Sequence, residues 1–165
     1  MLKTFYRLKD LDFQMLMAVY EEGNLENALE FYPDDSPDVQ LQKVKQSFED
    51  YLREDFFRVK GVRYAVWEEA GEYISALRLE PYEDGFLLEA LETMPARRRM
   101  GYSMKLISAV LEELPKGTTV YSHVGKRNAA SLGAHLRCGF EKHLDYAKYI
   151  DGTVTLYCLT LKKIV

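Results

Sequence analysis

The sequence predicts a single α/β domain built on a mixed, mostly antiparallel central sheet of about seven strands, flanked by about four helices. Three observations carry this. The chain has 165 residues, the length of one domain and enough to bury a sizeable core. Between Val62 and Met94 three alternating, aromatic-rich runs are separated by turn residues, which reads as an antiparallel meander. An amphipathic segment then lies between the run ending at Met94 and the run beginning at Thr118, so those two strands are expected to be parallel neighbours joined by a right-handed crossover.

Taken in order, Leu2 to Tyr6 reads as a short strand, and Leu11 to about Tyr32 as a helix or helix pair interrupted near Gly23-Asn24. Pro33 to Pro37 is a turn. Ser36 followed by Pro37 fits a helix N-cap with proline at the first helical position, and Val39, Leu41, Val44, Phe48 and Leu52 recur at helical spacing. The meander comprises Val62–Trp67, Tyr73–Glu80 and Phe86–Met94. Leu106, Ile107, Val110, Leu111 and Leu114 mark one face of a helix that starts near Gly101 and is closed by Pro115-Lys116-Gly117. Thr118–Val124 is a strand, Asn128–Cys138 a short helix and Thr153–Leu161 an alternating strand. No internal repeat interrupts this order, which predicts one domain over residues 1–165.

Composition narrows the function. With 47% hydrophobic and 29% charged residues the chain is of ordinary globular type, and no apolar run approaches the roughly 20 residues needed to cross a bilayer. A formal net charge of −4 argues against a nucleic-acid partner, whose phosphates require a broad basic face. The N-terminal residues lack the apolar core of a secretory signal, so a cytoplasmic location is expected. Cys138 and Cys158 follow no ligand or redox spacing and read as reduced packing residues. His123, His135 and His143 are equally unsuited to a metal, which is not expected. Seven acids lie between Glu21 and Asp38 with no lysine or arginine among them. Such a field would attract a cationic ligand, although a solvated helix face gives the same pattern.

The segment with the most chemical content is Met94-Pro95-Ala96-Arg97-Arg98-Arg99-Met100-Gly101-Tyr102-Ser103, at a strand-to-helix junction. There the unpaired N–H groups of the first helical turn and the positive end of the helix dipole face the loop, which suits a phosphate. Gly101 lets a ligand oxygen approach the main chain without meeting a Cβ, and the arginines supply charge. The Gly-Lys-Ser/Thr ending of a nucleotide-hydrolysing loop is missing, as is the Gly-x-Gly-x-x-Gly of a dinucleotide fold.

These residues resemble the GNAT superfamily of N-acetyltransferases, whose acetyl-CoA loop reads Gln/Arg-x-x-Gly-x-Gly/Ala after a strand ending in a Val-x-Pro-like step. Here the strand ends Thr93-Met94-Pro95, and the loop is Arg98-Arg99-Met100-Gly101-Tyr102-Ser103, with Ser103 where Gly or Ala is usual. A second signature, Asn-x-x-Ala/Ser followed by Gly-Phe, stands as Asn128-Ala129-Ala130-Ser131 and Gly139-Phe140. The resemblance covers residues 62 to 163 and is sharpest from 86 to 140. It implies a GNAT fold, splayed between its two parallel strands, that takes acetyl-CoA as co-substrate. It also implies direct attack of an amine on the thioester, with the pantetheine arm along Leu91 to Thr93. The pyrophosphate would lie on the amides of Arg99, Met100, Gly101, Tyr102 and Ser103, with Arg98 beside them and Asn128 and Ser131 facing the cofactor from the far side.

The resemblance also directs attention to three candidate catalytic residues. His135 stands where the family often places a tyrosine that protonates the leaving sulfur. His123 and Glu89 occupy strand positions where some members carry a catalytic carboxylate. By strand alternation Glu89 is expected to share a face with Leu91 and Thr93, and Glu92 to face the other way. An attacking alkylamine must lose a proton, whereas a general acid is less essential because the leaving thiol has a pKa of only about 8.5. Tyr146 and Tyr149 are candidates for lining the acceptor pocket. The expected acceptor is a small-molecule or peptide amine, cationic if the acidic segment contributes; the oligomeric state, homodimer included, stays open. The departure at His135 also leaves room for a second reading, an acyl-CoA-binding module without turnover.

Overall fold

The computed structural model describes all residues 1–165. Strand β1 (Leu2–Phe5) is followed by three helices, α1 (Phe13–Val19), α2 (Glu21–Phe31) and α3 (Pro37–Glu54). The meander is β2 (Arg63–Glu69), β3 (Glu72–Tyr82) and β4 (Gly85–Thr93); helix α4 (Tyr102–Glu112), strand β5 (Thr119–Gly125) and helix α5 (Ala129–Arg137) come next. The chain closes with β6 (Glu141–Leu144), a two-residue pair β7 (Ala147–Lys148) and β8 (Val154–Thr155), and β9 (Cys158–Ile164). Seven strands form one sheet in the order β1-β2-β3-β4-β5-β9-β6, while β7 and β8 make a separate ribbon.

As the crossover pattern predicts, β4 and β5 are parallel neighbours, and every other pair in the main sheet is antiparallel. Their pairing is short, running from Gly85↔Thr119 to Leu88↔Ser122. A Cβ on Gly85 would lie 2.0 Å from the Thr119 carbonyl oxygen, so only glycine permits this approach. Beyond Leu88 the two strands diverge.

Each face of the sheet buries its own apolar cluster. On one face Leu106, Ile107, Val110 and Leu111 of α4 pack with Leu77, Leu79, Leu88, Val120 and Phe140. On the other, Leu16, Met17 and Val19 of α1 and Leu52 of α3 pack with Tyr64, Val66, Tyr73 and Ala76. The amphipathic stripe of α4 is what the sequence spacing requires: residues three and four apart share one helix face.

Two element boundaries differ from expectation. The break in the first helical stretch falls at Tyr20 (φ −95°, ψ 15°), with Gly23 and Asn24 inside α2. Tyr20 is drawn out of the helix because its hydroxyl reaches β4, as described below, and this tertiary bond outweighs the roughly 1 kcal/mol cost of a glycine within α2. The strand expected over 153–161 is two strands, β8 and β9. Their junction, Leu156-Tyr157, is exposed, and the Tyr157 N–H bonds to Thr155 Oγ1 at 3.3 Å in a local turn.

Candidate functional site

Where β4 leaves β5 its backbone is irregular. Glu92 pairs with Ala76 and Glu89 with Arg78, so three steps on β4 match two on β3 and leave an extra residue. Ala90 takes it up at φ +51°, a left-handed conformation that costs an L residue about 1 kcal/mol. The bulge corrects the alternation expected for β4. Ala76 and Arg78 lie two apart and share a face, so Glu89 faces the same way as Glu92, away from Leu91 and Thr93.

At the split, mostly on its α4 side but reaching through to Glu22 and Glu92, lies a cavity of about 720 Å³. Leu91, Thr93, Arg98, Arg99, Gly101, Tyr102, Ser103, Asn128 and Ser131 all line it, and Glu22, Glu92, Arg97, Met104, Ala134 and Arg137 complete the wall. Met100 is turned out, with 54% of its surface exposed. Gly101 caps α4 at φ +81°, and the first bond of the helix runs from the Lys105 N–H to its carbonyl. The N–H groups of Tyr102, Ser103 and Met104 therefore point out of the helix end toward the cavity. Arg99, also left-handed at φ +64°, turns the loop over this end. On the far wall Asn128 caps α5, its Oδ1 accepting the Ser131 N–H at 3.0 Å.

Arg98 is held by carboxylates. Its guanidinium pairs with Glu22 of α2 and with Glu92, 3.3 Å away, and its Nε donates to the Thr93 carbonyl at 3.2 Å. These bonds tie α2 and the end of β4 to the loop, leaving the backbone donors of α4 open to an anion. Sequence reasoning identified the loop but not Glu22 or Arg137, which reach it from elements distant in the chain.

The three catalytic candidates separate in space. His135 is 1% exposed. Its Nδ1 lies 2.8 Å from the Ser131 carbonyl, an obligate acceptor, so Nδ1 carries the proton; Nε2 then accepts from Ser122 Oγ at 3.0 Å. Its ring stands edge-on to Phe140 at 5.2 Å, and burial lowers its pKa, keeping it neutral.

His123 is one step along β5 from Ser122 and therefore on the opposite face of the sheet. Both of its ring nitrogens are buried without a hydrogen-bond partner. The rings of Tyr82 and Tyr149 stand edge-on to it at 5.6 and 5.0 Å. Burial lowers its pKa below the usual 6.5, opposed by the carboxylate of Glu89, so the imidazole is neutral at pH 7. His123 and Glu89 are the first residues beyond the last paired step, Leu88↔Ser122, and both face the α1–α3 side. Tyr149 is thus beside His123, whereas Tyr146 contributes a carbonyl that accepts from Thr160 Oγ1 at 2.6 Å.

Behind Glu89 lies a charged cluster without a recognisable sequence signature. Arg78 pairs with Glu89 at 2.9 Å and lies over the rings of Tyr51 and Phe56 at 5.0 and 5.6 Å. Glu80, 8% exposed, has its pKa pushed up to about 7 by burial and then by Glu89, while Tyr51 Oη donates to it at 3.4 Å. Arg78 and Glu80 stand two apart on β3, a period that the strand assignment contains, whereas their partners Glu89 on β4 and Tyr51 on α3 it does not. Elsewhere no group of three or more His, Cys, Asp or Glu side chains is gathered as a metal site would require. Cys138 and Cys158 are both free, and no helix is long and apolar enough to cross a membrane.

The architecture has many solved counterparts. The PaiA N-acetyltransferase of Thermoplasma acidophilum, in complex with coenzyme A, superposes with a TM-score of 0.63 at 11% identity over 100% of this chain and 99% of that one. The ribosomal-protein-alanine N-acetyltransferase of Brucella melitensis gives 0.63 at 18% identity, covering 100% and 99%. A mutant spermidine N-acetyltransferase of Vibrio cholerae gives 0.61 at 16% identity, covering 99% and 94%. At such identities the likeness is one of fold. Comparison of the sequence with curated proteins finds no match. The sequence profile of the acetyltransferase (GNAT) family, however, matches residues 20–140, a span that holds the split between β4 and β5, the α4 loop and both histidines. With that match over well more than half its length, the chain belongs to the GNAT acetyltransferase family.

Proposed function

We propose that this protein moves the acetyl group of acetyl-CoA to a primary amine, with the cofactor on the α4–α5 side of the split and the amine on the α1–α3 side. The observation that carries this reading is His123: a neutral imidazole with two unpartnered nitrogens, at the place where β4 and β5 open. A buried polar group without a partner costs about 1 to 3 kcal/mol, and a reacting group that needs a proton acceptor gives that cost a purpose.

The outward N–H groups of Tyr102, Ser103 and Met104 receive the pyrophosphate, and Leu91 and Thr93 border the pantetheine arm. Ala90 accepts a hydrogen bond at its carbonyl from the α1–α2 side, at 2.6 Å from Tyr20 Oη. In a trans peptide the N–H opposes the C=O, so the Leu91 N–H is directed away from Tyr20 and serves as donor to the thioester oxygen. The amine nitrogen attacks the thioester carbonyl carbon, a C–N bond forms, and the C–S bond breaks with release of the CoA thiolate. The acceptor ammonium gives one proton to solvent before attack, and a ring nitrogen of His123 takes the second, released from nitrogen as the C–N bond forms. Glu89 stabilises the imidazolium so formed. His135, with both nitrogens engaged, holds α5 on β5 and takes no part in the proton transfer.

The acceptor is an amine that is cationic in solution. Spermidine and a ribosomal-protein alanine are the acceptors named for two of the structural counterparts, so both a polyamine and a peptide N-terminus belong in the first panel. Release of CoA thiol from acetyl-CoA in the presence of such amines tests the reading. The wild type is expected to release thiol in an amine-dependent manner, and binding of acetyl-CoA with no amine-dependent release from any member would overturn it.

A further inference from the structure

Tyr20, at the junction of α1 and α2, is far in sequence from every motif of the site, yet its hydroxyl donates to the Ala90 carbonyl at 2.6 Å. It in turn accepts from Tyr64 Oη of β2 at 2.9 Å, and Tyr64 is fully buried. The ring of Tyr20 is fixed edge-on by Phe48 at 5.7 Å. Three elements outside the cofactor loop therefore converge on one peptide group, the peptide at the extra residue of β4 where Ala90 holds φ +51°.

We infer that Tyr20, backed by Tyr64, is a positioning residue for acyl transfer: it locks the Ala90–Leu91 peptide so that the Leu91 N–H faces the cofactor side of the split. An L residue leaves the left-handed region readily unless its surroundings determine it, and here the determining bond is to the carbonyl of the strained residue itself. The two hydroxyls form a directional chain, Tyr64 to Tyr20 to Ala90. Burial raises both tyrosine pKa values, that of Tyr20 to about 12, so each remains a donor at working pH. Leu91 packs against the α4 cluster and lines the cavity, which places the amide opposite Tyr20 on the side where the thioester would lie. A rotation of this peptide would move the donor away from the reacting carbonyl without altering the pyrophosphate donors at α4, so the device acts on turnover and not on cofactor affinity.

The inference rests on the transferase reading, and its test is arranged so that the two can fail separately. Tyr20→Phe keeps the ring and its packing and removes only the hydroxyl. With one buried hydrogen bond at stake, kcat is expected to fall about tenfold while KM for acetyl-CoA stays within about twofold. Amide exchange of the peptide spanning Leu88 to Glu92, measured on the free protein, is expected to quicken about tenfold, with α4 unchanged. Tyr64→Phe should produce the same pattern in milder form. Unchanged exchange at Leu88 to Glu92 in Tyr20→Phe overturns the inference, as does a fall in kcat matched by an equal loss of acetyl-CoA binding. If the wild type transfers acetyl to no amine, the transferase reading falls, and the exchange comparison still decides whether Tyr20 holds the peptide.

Discussion

At the scale of single residues, two histidines of similar sequence setting have opposite environments. His135 satisfies both nitrogens within the fold, and its replacement by alanine leaves the Ser122 hydroxyl without its partner and a void against Phe140. His135→Ala should therefore lose about 2 to 4 kcal/mol of stability in chemical denaturation, while kcat of the folded fraction is retained. His123→Ala should do the reverse, lowering kcat by about a hundredfold with little change in stability. The acid limb of kcat/KM should lie below pH 6.5, because burial lowers the pKa of His123. Glu89 raises that pKa, so Glu89→Gln moves the limb to lower pH in a pH–rate profile. The sequence marked both histidines as candidates. It did not tell them apart, because the distinction is one of face: Ser122 and His123 are adjacent, and only the position of α5 decides which of them meets His135.

At the scale of elements, the α4 loop was legible because its chemistry is local, built from consecutive backbone groups and one glycine. Gly101 sits at φ +81°, and a Cβ placed there would have only Met104 Cε nearby, at 3.6 Å, so the penalty for replacing it comes from backbone conformation and not from crowding. Gly101→Val should raise KM for acetyl-CoA at least about tenfold in initial-rate measurements, by displacing the helix end proposed to receive the pyrophosphate. Strand β4 was legible only in part. Its alternation was readable, but the extra residue at Ala90 carries no glycine or proline to announce it, and everything after it is therefore turned relative to Glu89. The break at Tyr20 was hidden for a related reason, since it answers to a carbonyl 70 residues away. The last two strands of the chain, β8 in the separate ribbon and β9 in the main sheet, read as one alternating run because the exposed Leu156-Tyr157 step keeps the strand pattern.

At the scale of the whole molecule, the order of elements and the parallel pair followed from periodicity and connection rules, and the sheet separates the face that carries α4 and α5 from the face that carries α1 and α3. The buried cluster of Arg78, Glu80 and Glu89 lies in that dividing layer, where charge is costly. Glu80 binds its proton more tightly folded than unfolded, since its pKa rises from 4.5 to about 7. Between those values the native state holds more protons, so its contribution to stability is present at low pH and is lost as pH rises toward 7, on the order of 1 kcal/mol per pH unit. Glu80→Gln should remove that dependence, making the variant relatively more stable at pH 8 than at pH 5 when the two proteins are compared by thermal unfolding.

Whether the split between β4 and β5 is a site of acetyl transfer served by His123 is decided by thiol release from acetyl-CoA across polyamines, aminoglycosides, amino acids and peptide N-termini, run in parallel on the wild type and His123→Ala. Amine-dependent release by the wild type is expected to fall about a hundredfold in the variant, with acetyl-CoA binding preserved in both. Equal release by the two proteins would contradict the role of His123, and binding of acetyl-CoA without release to any amine would contradict the transferase itself.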